Sequence, residues 1–438
     1  MRGIVFASTT ALGVIFASAA FADSNTVYLY QSGETQKADI KQSNNNNSVG
    51  TSTSAFVQEN GTGYGYNNLK VDQWAGGNTI GLYGLSKQSG TGNNVSISQL
   101  GGGNVELLQI GSYNGTGSLI NSYGAAGDIL QSGSNAKMSV IQNGSYNGFN
   151  IWQGGNYSNL NLTQAGDNQK AVVRQAFGGT DYSVLNNNNP ATYGKAYPSD
   201  HASSGTITIN QGLGGGGSQG FVYAVQGGGD WNSMSLGQDG MSQTASVWQD
   251  GASNSVTSYQ TGYNNSLGKV GPGTNAPFYQ IGSNQQLLNT QTGTNNTVTG
   301  IQKDSLNYIS TYQSGNGSTA DFDQSNSYQQ AYNFQYGTDV LVAKQSGGTG
   351  NYLMNVQADV ATATITQTGT GNRSTGSQSG GWGSYTNTAV VAQSGNYNES
   401  VYAQTGANNN LNLTQNGNYN TSNLTQTGNN NIAMVQQN

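Results

Sequence analysis

The chain has no cysteine, which excludes disulfides and thiolate-based metal or redox sites. Charge is scarce: Asp, Glu, Lys and Arg make up 7% of 438 residues, against about 25% in ordinary domains. That argues against the common disordered class, which net charge keeps expanded. No basic stripe exists, so nucleic acid has no electrostatic footprint to bind. Histidine is almost missing. The single copy, His201, sits beside Asp200, and neither a Ser-His-Asp nor a Cys-His set can be assembled around it. Gly214 to Gly217 lack the Lys-Ser/Thr of a phosphate loop. The scattered Asp residues do not recur as in calcium-binding β-rolls, and no carboxylate pair stands out for glycoside hydrolysis. The expectation is no cofactor, no metal, no nucleic-acid partner and no enzymatic activity.

Long apolar runs are confined to the N-terminus. Arg2, the stretch Gly3 to Phe16 and Ala20-Phe21-Ala22 have the order of a cleaved secretory leader, which predicts a mature start at Asp23. The stretch is too short for a comfortable membrane span. Loss of Arg2 leaves 12 basic and 19 acidic residues, a formal charge of −7. The mature chain is expected to be extracellular.

What the chain has in abundance is Gly (66 residues), Asn, Gln, Ser, Thr and 26 Tyr, and these recur with a fixed period. Gln393, Gln404, Gln415, Gln426 and Gln437 are 11 residues apart. Gly395, Gly406, Gly417 and Gly428 follow the first four by two residues, and Asn398, Asn409, Asn420 and Asn431 follow by five. The same spacing links Gln131, Gln142, Gln153, Gln164 and Gln175, with Gly144, Gly155, Gly166 and Asn147 in their places. It also links Gln280, Gln291, Gln302 and Gln313, with Asn296, and recurs around Gln249 with Asn254. From Gln31 to Gln437 there are 32 such Gln, and 18 of the 31 intervals are 11 residues. Where an interval is longer, two apolar positions keep their place before the next Gln, as with Leu69 and Val71 before Gln73 or Ala389 and Val391 before Gln393. Extra residues are therefore expected between Gln and Asn, in the turn. From Gln109 to Gln131 the register is expected to continue with Ile120 in place of a Gln.

Parity supplies the local structure. Asn, the two apolar positions and the closing Gln share one parity and hence one face of a strand. Gln-x-Gly-x-x supplies the turn, with Gly free to take positive φ. Recurrent Gly, Asn and β-branched residues reject a helical coil of the same period. One strand buries too little to fold alone, so two strand-turn units form a rung and about 16 rungs stack into a two-sheet β-solenoid. Each inward amide would then bond to the identical amide of the next rung. An antiparallel β-meander with the same spacing is the alternative. The division expected is a leader at 1–22, repeat arrays at 23–175 and 206–438, and a loop insertion at 176–205 holding Pro190 and Pro198. Gly271-Pro272-Gly273 marks a smaller excursion.

The unit Gln-x-Gly-x-x-Asn-x-φ-x-x-x-Gln, as in Gln142-Asn143-Gly144-Ser145-Tyr146-Asn147 closing at Gln153, resembles the curlin repeat of bacterial curli subunits. The resemblance covers nearly all of the chain after 22, although the array is much longer than a typical member's. It implies a structural subunit that forms amyloid fibres of the biofilm matrix and mediates adhesion. It also implies a nucleator subunit and an outer-membrane export pore as partners besides the chain itself. A monomeric solenoid adhesin or glycan- or ice-binding protein is the other reading. Capping rungs would favour it, whereas the pattern here runs to Gln437-Asn438. Charge thins toward the C-terminus, with only Glu399 beyond Arg373, so these rungs are expected to lack protection against edge pairing. Tyr30, Trp152, Trp248, Tyr259, Tyr279, Tyr312 and Phe334 each precede a landmark Gln and are expected to face outward as an aromatic row.

Overall fold

A computed structural model describes residues 4–5, 24–33, 36–59, 67–74, 76–81, 86–115, 127–132, 135–155, 157–177, 204–212, 219–271, 274–380 and 385–438. The expected leader lies outside these residues except for Ile4–Val5, as does the expected insertion except for 176–177 and 204–205. His201, Ile120 and Pro272 are likewise outside. The chain divides into two compact units, 1–242 with 271–274 and 243–270 with 275–438.

In each unit the chain alternates between two parallel sheets, so that a strand pairs with the next but one. In the first unit, sheet I contains Thr26–Ser32, Asn104–Ile110, Lys137–Asn143, Asn159–Ala165, Thr206–Gln211 and Ser233–Met241 among its strands. Sheet II contains Lys37–Gln42, Asn68–Gln73, Asn94–Gln99, Asp128–Ser132, Gly148–Gly154, Lys170–Phe177 and Phe221–Gly227. In the second unit, sheet III runs from Ser255–Tyr263 to Thr421–Thr427, and sheet IV from Thr244–Asp250 to Ile432–Gln437. The fold is a two-sheet β-solenoid, and the parallel in-register pairing excludes the meander. Landmark Gln lies opposite landmark Gln throughout, as in Gln142↔Gln164↔Gln211 and Gln393↔Gln415↔Gln437. The first of these series spans 176–205: Asn159–Ala165, before that segment, and Thr206–Gln211, after it, are neighbours in sheet I, as Lys170–Phe177 and Phe221–Gly227 are in sheet II.

Burial alternates along the strands. Asn410–Asn416 has Leu411, Leu413 and Gln415 buried, with Asn410 and Asn412 exposed. This is the pattern of a strand with one face on the core. Sheet II departs from it. In Phe221–Gly227 every residue is buried, and Val172 and Arg174 are buried although their parity is outward. That stretch of sheet II is covered on both faces.

The turns explain the glycines. Gly395 has φ +111°, and a Cβ there would lie 1.8 Å from the Gly417 carbonyl oxygen of the next rung. A second left-handed residue follows two positions later, Tyr146, Tyr397, Asn408, Tyr419 and Asn430 among them, with φ of 56–60°. Asn tolerates this conformation and Tyr does so less often. Two insertion patterns also differ from expectation. The extra residues between Val49 and Phe56, Ile80 and Ser86, and Leu267 and Phe278 fall between the two apolar positions instead of before Asn, and each such strand is two stubs that both stay in register. Each first stub ends on a positive-φ glycine, Gly50, Gly81 or Gly268, which turns the chain out of the sheet. Residues 110–131 form one unit rather than two, because Gln109 pairs with Gln142 and Gln131 with Gln99.

The apolar positions are not uniformly apolar. In sheet III the inner column two residues before Gln carries Ser258, Asn289, Thr311, Asn333 and Asn355, all buried. Asn289 Nδ2 donates to Ser258 Oγ at 2.9 Å and Asn355 Nδ2 to Asn333 Oδ1 at 3.1 Å. The column then changes size abruptly. Gly376 lies opposite Tyr402, and a Cβ on Gly376 would meet the Tyr402 ring at 2.0 Å. The buried ring occupies the space that the glycine leaves, and its hydroxyl meets Asn355 Oδ1 at 3.4 Å. Gly376→Val is expected to destabilise the second unit by about 1–3 kcal/mol through overpacking. Adding Tyr402→Leu is expected to recover most of that loss in urea denaturation. Equal and additive losses would contradict this size pairing.

Candidate functional site: the buried amide ladders

The repeat concentrates its polar chemistry inside. In sheet I, Nε2 of Gln31, Gln58, Gln88, Gln109, Gln142, Gln164 and Gln211 donates to Oε1 of the next landmark Gln, ending at Gln238, at 2.7–2.9 Å. In sheet II the series Gln42, Gln73, Gln99, Gln131, Gln153, Gln175, Gln226 is joined in the same way at 2.7–3.2 Å. Sheet III carries Gln260, Gln291, Gln313, Gln335, Gln357, Gln378, Gln404, Gln426 at 2.7–3.1 Å. Sheet IV carries Gln249, Gln280, Gln302, Gln324, Gln345, Gln367, Gln393, Gln415, Gln437 at 2.8–3.0 Å. The direction never changes, and the donor always belongs to the rung nearer the N-terminus. The other Nε2 proton crosses the sandwich to a backbone carbonyl at the start of the preceding strand. Gln302 donates to Gln286 O, Gln313 to Thr297 O, Gln404 to Thr388 O and Gln426 to Asn410 O, all at 3.1 Å. Each Gln therefore joins two rungs and two sheets at once.

Asparagine works differently from expectation. Asn398 Nδ2 donates to Ser394 O at 3.3 Å and to Gly417 O at 2.9 Å, and its Oδ1 accepts the Asn420 backbone N–H at 3.0 Å. Asn409 treats Thr405, Gly428 and Asn431 in the same manner. Asn147 bonds Gly166 O and the Gln169 N–H, Asn254 bonds Gly282 O and the Gln285 N–H, and Asn296 bonds Gly315 O and the Ser318 N–H. The series is thus mostly side chain to backbone and fastens turns, rather than a column of like amides. A direct amide contact does occur from Asn431 Nδ2 to Asn409 Oδ1 at 2.9 Å. The turn glycines Gly144, Gly155, Gly166, Gly395, Gly406, Gly417 and Gly428 all have positive φ, and several of their carbonyls face the Asn amides. Gln169, Gln285, Gln329, Ser158 and Ser318 occupy the same buried place in other units.

One unit replaces Asn by Asp. Between Gln335 and Gln345 the turn is a residue shorter, and Asp339 is buried. Its Oδ2 accepts from Gly337 N at 2.9 Å and Tyr336 N at 3.2 Å, and its Oδ1 accepts from Ala361 N at 3.0 Å. The tighter turn points N–H groups where the longer turn points carbonyls, so an acceptor-only group fits. Burial raises the Asp339 pKa to about 6, with the backbone N–H bonds opposing and Asp359 adding repulsion.

Among the described residues no group of three His, Cys, Asp or Glu is placed to hold a metal. Of the aromatic row, Tyr30 and Tyr259 are exposed, whereas Trp152, Tyr279, Tyr312 and Phe334 are half-buried. Trp248 is nearly buried, contrary to its expected exposure, and Trp152 carries the Arg174 guanidinium 4.4 Å above its ring. No family model and no curated protein matches the chain.

Two outcomes follow from these contacts. Gln313→Ala removes the acceptor of Gln291 Nε2 and the donor to Gln335 Oε1 in a buried column, for an expected loss of about 2–5 kcal/mol. Gln437→Ala, half-buried with one ladder partner, is expected to lose less in the same denaturation series. For Asp339, a folded-state pKa above the unfolded value of 3.8 gives stability that is full below about pH 4 and lost as pH rises through about 6. The loss is on the order of 3 kcal/mol. Urea titrations from pH 4 to 7 should show it in the wild type, with a flatter profile for Asp339→Asn.

Proposed function

We propose that the chain is a self-assembling structural subunit of an extracellular fibre, exported through a cleaved leader at 1–22 and serving matrix cohesion and adhesion. The observation that carries this reading is where the buried amides find their partners. A landmark Gln is satisfied by the neighbouring rung of the same sheet, and an Asn by the neighbouring turn. A rung is thus chemically incomplete without another like it, and a second copy of the chain supplies such rungs by β-augmentation. The resemblance of the repeat to curlin supports the same reading, and with it a nucleator subunit and an outer-membrane pore as further partners. The low charge of the segment from Gln393 to Gln437 supports growth there, since charges discourage edge pairing.

The test uses the purified chain from Asp23. Sonicated fibres are expected to abolish the lag of fresh protein, and fibre diffraction should give the ~4.7–4.8 Å repeat. A chain that stays a single soluble particle for days and ignores seeds would contradict the proposal. The sequence Asn-Leu-Asn-Leu-Thr-Gln occurs twice, at Asn159–Gln164 and Asn410–Gln415, with Asn161 and Asn412 both exposed. Asn412→Lys should slow seeded elongation more than Asn161→Lys. Equal slowing would remove the C-terminal segment from its proposed role.

A further inference from the structure

The two outer faces of the second unit differ in kind. On sheet IV, the outward positions of Thr297–Ser305, Thr319–Gln324 and Val340–Ser346 include Lys303, Asp321, Asp323 and Lys344. On sheet III, five successive strands from Ser255–Tyr263 to Tyr352–Gln357 carry no charged residue on their outward positions. Tyr308, Tyr312, Tyr332, Phe334, Tyr352 and Met354 cluster there instead. Ring centroids of Tyr308 and Tyr332 are 5.3 Å apart, and those of Tyr332 and Tyr352 are 5.6 Å apart. These side chains are half-buried and the tyrosine rings pack on one another, which orders them as a largely aromatic surface before any partner arrives. The first charge on this face is Arg373, over the Tyr352 ring at 5.0 Å and 3.8 Å from Glu399.

We infer that this sheet III face is the lateral contact between fibres, packing on the same face of a second copy. The inference rests on the fibre reading above. Two observations select a second copy as the occupant. The first is charge: sheet III on sheet III buries aromatic surface with no ion to desolvate, whereas sheet IV would have to bury Lys303, Asp321 and Lys344. The second is size. Five strands at about 4.8 Å spacing and about 20 Å length give roughly 500 Å². The aromatic cluster occupies three of those strands, the outward positions of the first two being mostly Ser, Thr and Gln, and even the whole area falls short of the roughly 800 Å² per partner of a stable pairwise interface. Single subunits should not dimerise through it. In a fibre the face recurs with every subunit, and weak contacts in series add by avidity. Lateral association then follows assembly and cannot precede it.

The experiment compares wild type with Tyr332→Lys and Tyr332→Lys/Phe334→Lys, and with Val342→Lys as control. Val342 is exposed on sheet IV beside Asp321. Fibres are grown from identical seeds, and elongation rate, bundle width by electron microscopy and low-speed pelleting are recorded. The sheet III variants should elongate at the wild-type rate yet pellet about tenfold less, as single filaments, while Val342→Lys bundles normally. Unchanged bundling in the sheet III variants, wild-type fibres that never bundle, or Val342→Lys fibres that also separate would each overturn the lateral contact while leaving the fibre reading intact. A chain that forms no fibre at all removes the reading beneath it, and dimerisation of unassembled chain through this face would overturn the avidity argument.

Discussion

A primary amide in a low-dielectric interior has two N–H groups and an oxygen to satisfy, and each left open costs about 1–3 kcal/mol. This molecule places such a group at the end of nearly every strand and satisfies it by repetition. Gln bonds the next Gln along the sheet and a carbonyl across the sandwich, so the same contact that removes the penalty also fixes register. A slip by one residue would put every Gln on the wrong face. A slip by two would set Gln against the position two residues before it, which is apolar in most strands and Ser, Asn or Thr in much of sheet III. The core between the ladders is thin, with two small or apolar side chains per strand, and cannot specify register by shape alone. The amides do it by valence.

The ladders also explain what the chain tolerates. Extra residues lie within a unit between Val49 and Phe56, Ile80 and Ser86, and Leu267 and Phe278, and others between Phe177 and Thr206, yet in each case Gln returns to its column. Local shape can vary as long as the amide valence closes. Gly376 beside Tyr402 keeps the core volume constant while residue sizes change. Asp339 keeps the turn satisfied after one residue is lost, by exchanging a donor-acceptor for an acceptor. That exchange carries a pH dependence which the Asn units lack.

Most of this architecture was legible from spacing. A period of 11 with Gln, Gly and Asn at fixed offsets gives strand, turn and inward face, but it fits parallel and antiparallel pairing equally well, and the in-register parallel pairing is what the structure adds. Besides the mid-strand insertions and the single unit between Gln109 and Gln131, three features were not legible. The Asn contacts depend on turn geometry, which brings carbonyls rather than amides to Nδ2. Asn289, Asn333 and Asn355 stand at apolar positions, and their offset from Gln was visible, but an Asn in a composition so rich in Asn carries little information. Outward parity did not predict the burial of Val172, Arg174 or Trp248, because parity assigns a face without saying what lies over it. Left-handed Tyr at the fourth turn position had a signal, since Asn alternates with Tyr there.

The two faces of the second unit divide the remaining work. Charges on sheet IV keep that face solvated, while the aromatic surface on sheet III is free of ions. A protein with few charges has placed several of them where they oppose lateral contact on one side only. The glutamine columns hold the rest of the structure in register, and side-chain amide hydrogen exchange measured by NMR on glutamine-labelled chain tests them most directly. Gln313, Gln335, Gln393 and Gln404 Nε2 protons should be protected to the level of the strand backbone. Exchange at the rate of free glutamine, with the backbone still protected, would show that the sheets stack without the ladders and would contradict the account.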